Sequence, residues 1–436
     1  MKTIAIQPAA VLSKPRPPAS DRSDPPWRFA TLLQAPHRLA FAAGALLLAL
    51  SALWWLAVLV ARELAVPLTW AVPMPIAHSM LMAFGFMPLF FVGFLFTAGP
   101  RWLGMPPVDA RQLVGAVAAY TVAWLLYLPA VHVSLYLAAA CIAIAAGAWS
   151  RLGWRYARMV DASVAEDRVH ARVVRIGVVM GMAALWTAAF ACATESWLLM
   201  RVTVIGSLWG CLAMTYLGVA HRMIPFFTAS ALPFLDAWRP MWLLGVFVAA
   251  TITGFISGLI DLTVWPAPMV VRLLQLLPEA MLGIGLLLLA VRWGIVQSLR
   301  VRLLAMLHVG FVWLGLVFLL QAVSHGMLLA SGESRSLGLA PLHALTMGFM
   351  GATLIAMATR VSAGHSGRHL VADDLVWVLF WLQQVAAMLR VAAACWPGAP
   401  SWLTSVAAAL WALATVTWAV RYGRWYGRPR TDGAPG

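Results

Sequence analysis

Charge is scarce in this chain. Asp, Glu, Lys and Arg make up 10% of its 436 residues, while 63% are hydrophobic and the mean hydropathy is +0.86. An ordinary soluble protein carries about a quarter charged residues. The shortage excludes a water-facing globular surface and makes hydrocarbon the main solvent for these side chains. Period-two alternation is missing as well: the apolar runs are continuous, which points to helices rather than a membrane barrel. The four cysteines, Cys141, Cys192, Cys211 and Cys395, stand singly inside apolar runs with no C-x-x-C spacing. Neither a disulfide frame nor a cysteine-ligated zinc or iron–sulfur centre is expected from them, and such thiols behave as small hydrophobes. No hydrophilic stretch between the apolar runs is long enough for a soluble domain.

What is present is a series of apolar stretches, each long enough at about 20 residues to span a bilayer. Twelve are read, near 39–61, 74–98, 112–130, 132–150, 172–194, 199–223, 240–260, 269–291, 302–324, 340–360, 374–396 and 402–421. The fold class is therefore all-α: a polytopic integral membrane protein of about twelve helices in one bundle, spanning 39–426. Residues 1–38, rich in Pro, Ser and charge (SKPRPPASDRSDPPWR), read as a disordered basic tail without the apolar core and cleavage site of a secretory signal. Residues 427–436 read as a second loose tail.

The net charge of +15 would suggest nucleic acid in a soluble protein, but its placement excludes that partner. Five basic residues (Arg62, Arg201, Arg272, Arg335, Arg390) fall on one side, and the other 25 of the 30 fall in the tails and on the side of the termini. The positive-inside rule then places both termini in the cytoplasm. The cluster Arg151, Arg155, Arg158, Arg168, Arg172 and Arg175 is a topology signal that contacts anionic lipid.

Topology turns ten histidines into a map of depth. His78 on the second span and His343 on the tenth lie within about a turn of the same face, about 6–8 Å deep at 1.5 Å per residue. Two neutral imidazoles at matching depth on two helices suit the two sides of a haem iron in an apolar cleft; the alternative is a pair of hydrogen-bonded core imidazoles. Met74, His78 and Met82, at i, i+4 and i+8, offer a thioether–imidazole face suited to Cu(I), or ordinary core filling. A second group lies towards the terminal side: His221 at the end of the sixth span, His308 early in the ninth, and His365 and His369 after the tenth. Arg222, Arg360 and Arg368 nearby are placed to hold haem propionates or another anion, or to act as helix-end cations. His37, His132 and His170, at loop or interface positions, receive no role. His325, one turn after Gln321, stays unassigned. Glu279, near the middle of the eighth span after Pro278, is expected to be protonated, paired with a cation such as Arg390, or part of a proton relay.

The run HALTMGFMGATLIAMATRVSAGHSGR at 343–368 closely resembles a motif in the last third of the NnrS family, and RMIPFFT (222–228) and LHVGFVWLG (307–315) are similar to family segments in the sixth and ninth spans. The resemblance implies a bacterial inner-membrane protein that binds haem and copper, with nitric oxide as its small-molecule ligand and a role in nitric oxide metabolism or nitrosative stress. In the family the second span commonly reads Trp-His-Ala-His-Glu-Met; here Ile76 and Ser79 replace one histidine and the acid, which puts the copper site in question. Haem-copper oxidases also place haem-binding histidines on their second and tenth helices, an analogy of arrangement. The seventh span here has no histidine, so oxygen reduction at a haem-copper centre is not expected. The second functional reading is a transporter or a metal or haem delivery protein that uses the same histidines, with Glu279 as its proton-coupling group.

Overall fold

A computed structural model of the protein describes residues 25–433; the sequence expectation for residues 1–24 lies outside them. Among the described residues there are twelve helices long and apolar enough to cross a membrane and no strand. They are α1 (Pro36–Glu63), α2 (Met74–Trp102), α3 (Ala110–Val133), α4 (Leu135–Ala162), α5 (Val169–Ala193), α6 (Trp197–Ala231), α7 (Met241–Thr263), α8 (Met269–Arg292), α9 (Arg302–Ser331), α10 (Ala340–His365), α11 (Asp374–Cys395) and α12 (Ser401–Tyr426). An even number of crossings puts the two ends of the described residues on one face, called here the terminal face.

Helix is the local answer because hydrocarbon offers backbone N–H and C=O groups no partner outside the chain. Starts are marked by residues that satisfy or lack the orphan N–H groups. Asp373 Oδ1 accepts from the Val376 N–H at 3.1 Å ahead of α11, and prolines precede α7, α8 and α12. Gly332, at φ 62, ends α9 in a left-handed turn that glycine adopts without a Cβ clash.

Not all spans are equally enclosed. In α2, 83% of the most apolar window is buried, and in α6, α9 and α10 72%, against half or less in the other eight. These four form the interior, and the rest wrap them: α1 packs on α2 and α12, α4 lies between α3 and α5, α8 lies along α9, and α11 along α12. The α8–α9 contact is backbone-close. A Cβ on Gly283 would lie 2.7 Å from Leu319 Cδ2 and 2.9 Å from its backbone nitrogen, and one on Gly315 would lie 2.7 Å from Leu287 Cδ2. Small residues at such a crossing are how membrane helices approach without a hydrophobic driving force.

Three of the four interior helices depart from α-helical winding. Leu81–Gly85 in α2, Ser207–Ala213 in α6 and Ala344–Gly351 in α10 are π-helical. In α2 the disturbance becomes a break at Phe86 (φ −124). Pro88 has no N–H for the Phe84 carbonyl four residues back, and the buried Tyr120 hydroxyl on α3 donates to that carbonyl instead. In α10 the Met347 carbonyl, inside the π segment, accepts from Gln383 Nε2 of α11 at 2.6 Å. The irregular stretches of α2 and α10 therefore each have a donor from a neighbouring helix, as a buried membrane backbone requires.

Two boundaries differ from expectation. The sixth span does not end near residue 223; α6 runs to Ala231 with Pro225 inside it, so His221 is interior. Residues 427–433, read as a loose tail, are held on the terminal face. The Arg28 N–H donates to the Gly427 carbonyl at 2.8 Å, Arg38 Nη1 to the Arg428 carbonyl at 2.7 Å, and the Thr431 N–H to the Ser366 carbonyl at 3.0 Å. Composition marks that stretch as polar, but the carbonyls it offers are what a buried arginine (Arg38, 2% exposed) needs.

Candidate functional site

A histidine whose two ring nitrogens both have partners is structural; one with a bare, buried nitrogen has a lone pair to give. His132 is of the first kind: its Nδ1 donates to the Thr69 carbonyl at 2.8 Å and its Nε2 accepts from Trp54 Nε1 at 3.2 Å. His221 joins it. Its Nε2 donates to the Pro240 carbonyl at 3.1 Å, so its Nδ1 must accept from His170 Nε2 at 2.8 Å. No lone pair remains on His221 for a metal, and His170, given no role from sequence, is its partner.

His78 and His343 are different. They lie at the ends of α2 and α10 away from the terminal face, about 6 and 5 Å along from Met74 and Ala340 at 1.5 Å per residue. His343 Nδ1 lies 2.9 Å from the Leu339 carbonyl. A carbonyl only accepts, so the proton sits on Nδ1 and the Nε2 lone pair is free, the tautomer used by a metal ligand with a fixed ring. His78 stacks on Trp55 of α1 with centroids 3.7 Å apart and planes 23° apart, and its Nδ1 is buried without a hydrogen-bond partner. His78 lies within electrostatic reach of His343 and of Arg390. Arg390 makes no hydrogen bond or ion pair among the described residues. Each histidine stands just before a π-helical segment, a feature frequent at functional sites. Met82, expected to share an α-helical face with Met74 and His78, lies inside the π turn.

On the terminal side the expected group separates. Thr228 Oγ1 donates to the Ile224 carbonyl at 2.9 Å, so it accepts from His308 Nε2 at 2.9 Å, which leaves the buried Nδ1 of His308 bare. His365, the last residue of α10, packs its ring on His37 with centroids 4.4 Å apart, beside a space of about 10 Å³ bounded by Arg38, Ser362 and Tyr426. His37, like His170, had no role in the sequence reading. Arg222 is neutralised by Asp167 at 3.4 Å. Arg360 lies 3.9 Å over the Phe227 ring and Arg368 4.2 Å over Trp425; the Arg360 guanidinium, on a ring face, keeps its N–H edge for an anion. A cavity of about 60 Å³ sits between α1, α2, α6, α9 and α10, lined by Phe90, Phe91, Tyr216, Met223, Leu354 and Met357 among others, and no histidine lines it.

Glu279 is fully buried and its partners are not Arg390. Its carboxylate accepts from Ser257 Oγ at 2.6 Å and lies 2.6 Å from His325 Nδ1.

Among the described residues no three His, Cys, Asp or Glu side chains converge as a metal site. A copper or zinc centre needs about three such ligands. His78 and His343 would offer imidazole donors of the kind that hold a haem iron, and Arg390 a cation of the kind that holds a propionate.

Fold and side chains together define a twelve-span helical membrane protein that keeps bare imidazole nitrogens at the ends of its interior helices. The chain belongs to the NnrS family: the family model described as NnrS protein matches residues 31–430. No curated protein matches the chain.

Proposed function

We propose that this protein is a haem-binding membrane protein of the NnrS type, seated in a bacterial inner membrane with both termini in the cytoplasm, which acts in nitric oxide metabolism or protection against nitrosative stress. The observation that carries the reading is the pair His78 and His343, at matching depth on two interior helices, each with an unengaged ring nitrogen. The concentration of 25 of 30 basic residues on the terminal side supports the orientation. His78, its ring held parallel to Trp55, and His343, its tautomer set by the Leu339 carbonyl, would hold iron from two helices, and Arg390 would hold an anionic edge. When bound, haem supplies one-electron chemistry and affinity for nitric oxide. His308, Arg360 and Arg368, with His365 beside His37, remain the candidates for a second, copper or haem, centre on the terminal side. Purified protein should show a Soret band that His78→Ala and His343→Ala each abolish or shift, while His132→Ala leaves it unchanged. No Soret band after reconstitution with haem, or one indifferent to both changes, overturns the assignment.

A second reading, delivery of haem or a metal across the membrane with the same histidines, is favoured by the break in α2 at Phe86, since interrupted spans mark many transporters. The two separate by retention: a redox protein keeps its cofactor through purification, whereas a delivery protein releases it to apo-acceptor.

A further inference from the structure

A second polar system lies on the face opposite the termini, on helices that carry neither His78 nor His343. His325 of α9 sits between two carboxylates, with Nδ1 2.6 Å from Glu279 Oε2 and Nε2 3.1 Å from Asp261 Oδ2. Asp261 of α7 also takes Arg272 Nη1 at 2.6 Å and Gln275 Nε2 at 3.2 Å. Arg272 of α8, 1% exposed, forks onto Glu333 with Nε–Oε1 at 2.8 Å and Nη2–Oε2 at 2.6 Å. The Asp261 side chain is 43% exposed, while Glu279 is not exposed at all. From Met269 to Glu279 is about 15 Å along the helix at 1.5 Å per residue, half of a hydrocarbon core of about 30 Å.

The proton count follows from the geometry. A carboxylate only accepts, so each of the two His325–carboxylate bonds must contain a proton, on nitrogen or on oxygen. The triad then holds two bridging protons and one net negative charge. Arg272 and Glu333 cancel each other, so the whole cluster of three acids, one arginine and one histidine is left one proton short of neutrality. That deficit falls in the middle of the bundle, where an uncompensated charge is most costly. The group that relieves it is Glu279, whose Oε1 faces the Ser257 hydroxyl, an acceptor as well as a donor. A water-borne proton that arrives at Asp261 moves inward by concerted shifts along the two existing bonds: Asp261 protonates His325 Nε2 as Nδ1 passes its proton to Glu279. Nothing is oxidised or reduced.

We propose that Glu279 is a reversible proton-binding site in the membrane interior, loaded from the face opposite the termini through Asp261 and His325, with Arg272 and Glu333 fixing the entrance. The site is independent of cofactor: it would serve to compensate charge at a redox centre or to couple transport to protons, and it stands if the haem assignment fails.

The test is infrared difference spectroscopy of the full chain, reconstituted in vesicles in one orientation, between alkaline and acid pH. A protonated-carboxyl stretch should grow on acidification, shift in D2O and vanish in Glu279→Gln, which keeps the shape and the Ser257 hydrogen bond. Asp261→Asn, at the exposed end, should leave the band and slow its appearance after a pH jump on the opposite face by about 100-fold, the lower range for a positioned proton-transfer group. A jump on the terminal face should have no such fast phase. A network that merely holds helices together would show no band that depends on Glu279. Absence of that band in folded wild-type protein, or equal loading from both faces, overturns the proposal.

Discussion

Replacing Arg272 with methionine tests whether this cluster is an electrostatic unit or a set of incidental contacts. The stem volume is nearly kept, so packing changes little, but two carboxylates lose their cation. Breaking a buried ion pair costs about 3–5 kcal/mol. Here the partners are 43% (Asp261) and 12% (Glu333) exposed, so water recovers part of the loss and about 2–3 kcal/mol is expected. The pH dependence carries the sharper signature. Arg272, through its hydrogen bonds, holds the Glu333 carboxyl below the usual carboxylate range. A carboxyl depressed in the folded state stabilises the fold above its unfolded pKa, and that contribution is lost as pH falls through the folded value. Wild-type protein should therefore lose stability on acidification through the carboxylate range. R272M, with two unscreened carboxylates, should lose less, or gain as protons neutralise them. Thermal unfolding in detergent from neutral pH to mild acid measures the difference, and R272M/E333Q should recover part of the loss. If the R272M deficit is the same at every pH, or E333Q adds to it fully, the cluster is not coupled and the reasoning is wrong.

Other perturbations probe other joints. Tyr120→Phe removes the donor to the Phe84 carbonyl at the break in α2 and should cost about 1–3 kcal/mol, the desolvation of an orphaned acceptor; an unchanged melting temperature would mean the break satisfies itself. Gly283→Ala forces a methyl against Leu319 and should cost about 1–3 kcal/mol by overpacking, with the Glu279 carboxyl band perturbed as α8 and α9 separate. A spectrum and stability like wild type would show the crossing to be slack. Thr228→Val removes the acceptor that fixes the His308 tautomer; any terminal-side metal signal should change while the His78–His343 Soret band does not.

How far this molecule was legible in its sequence depends on the range of the forces involved. The twelve spans and the absence of sheet follow from side-chain hydropathy, a local property, and structure agrees with sequence there. The position of His78 and His343 near the starts of their spans follows too. What a span faces does not follow. The apolar runs show no winding register, so the π segments at Leu81, Ser207 and Ala344 leave no trace in periodicity. The carbonyls freed in α2 and α10 are met by Tyr120 and Gln383, each 36 residues away in sequence. The end of α6 lies beyond the hydropathy-based boundary because the helix continues through Pro225 to Ala231.

The partnerships of the titratable residues were the least legible part. Glu279 stands out in the sequence, since a lone acid in an apolar run announces itself. Its histidine did not: His325 follows 46 residues later and looks like any outer-end imidazole. A usable signal was nonetheless present. Asp261, Arg272, Glu279, His325 and Glu333 are charged or chargeable residues at one end of three successive spans, and an apolar bundle cannot leave them apart. The same reasoning separates the ten histidines. His132 and His221 spend both nitrogens on protein partners, whereas His78, His343 and His308 each keep one in reserve, as do His37 and His170 outside the interior helices. In a medium where an unmet polar atom is disfavoured by several kcal/mol, a fold that maintains three such reserves on its interior helices is built to receive something that meets them.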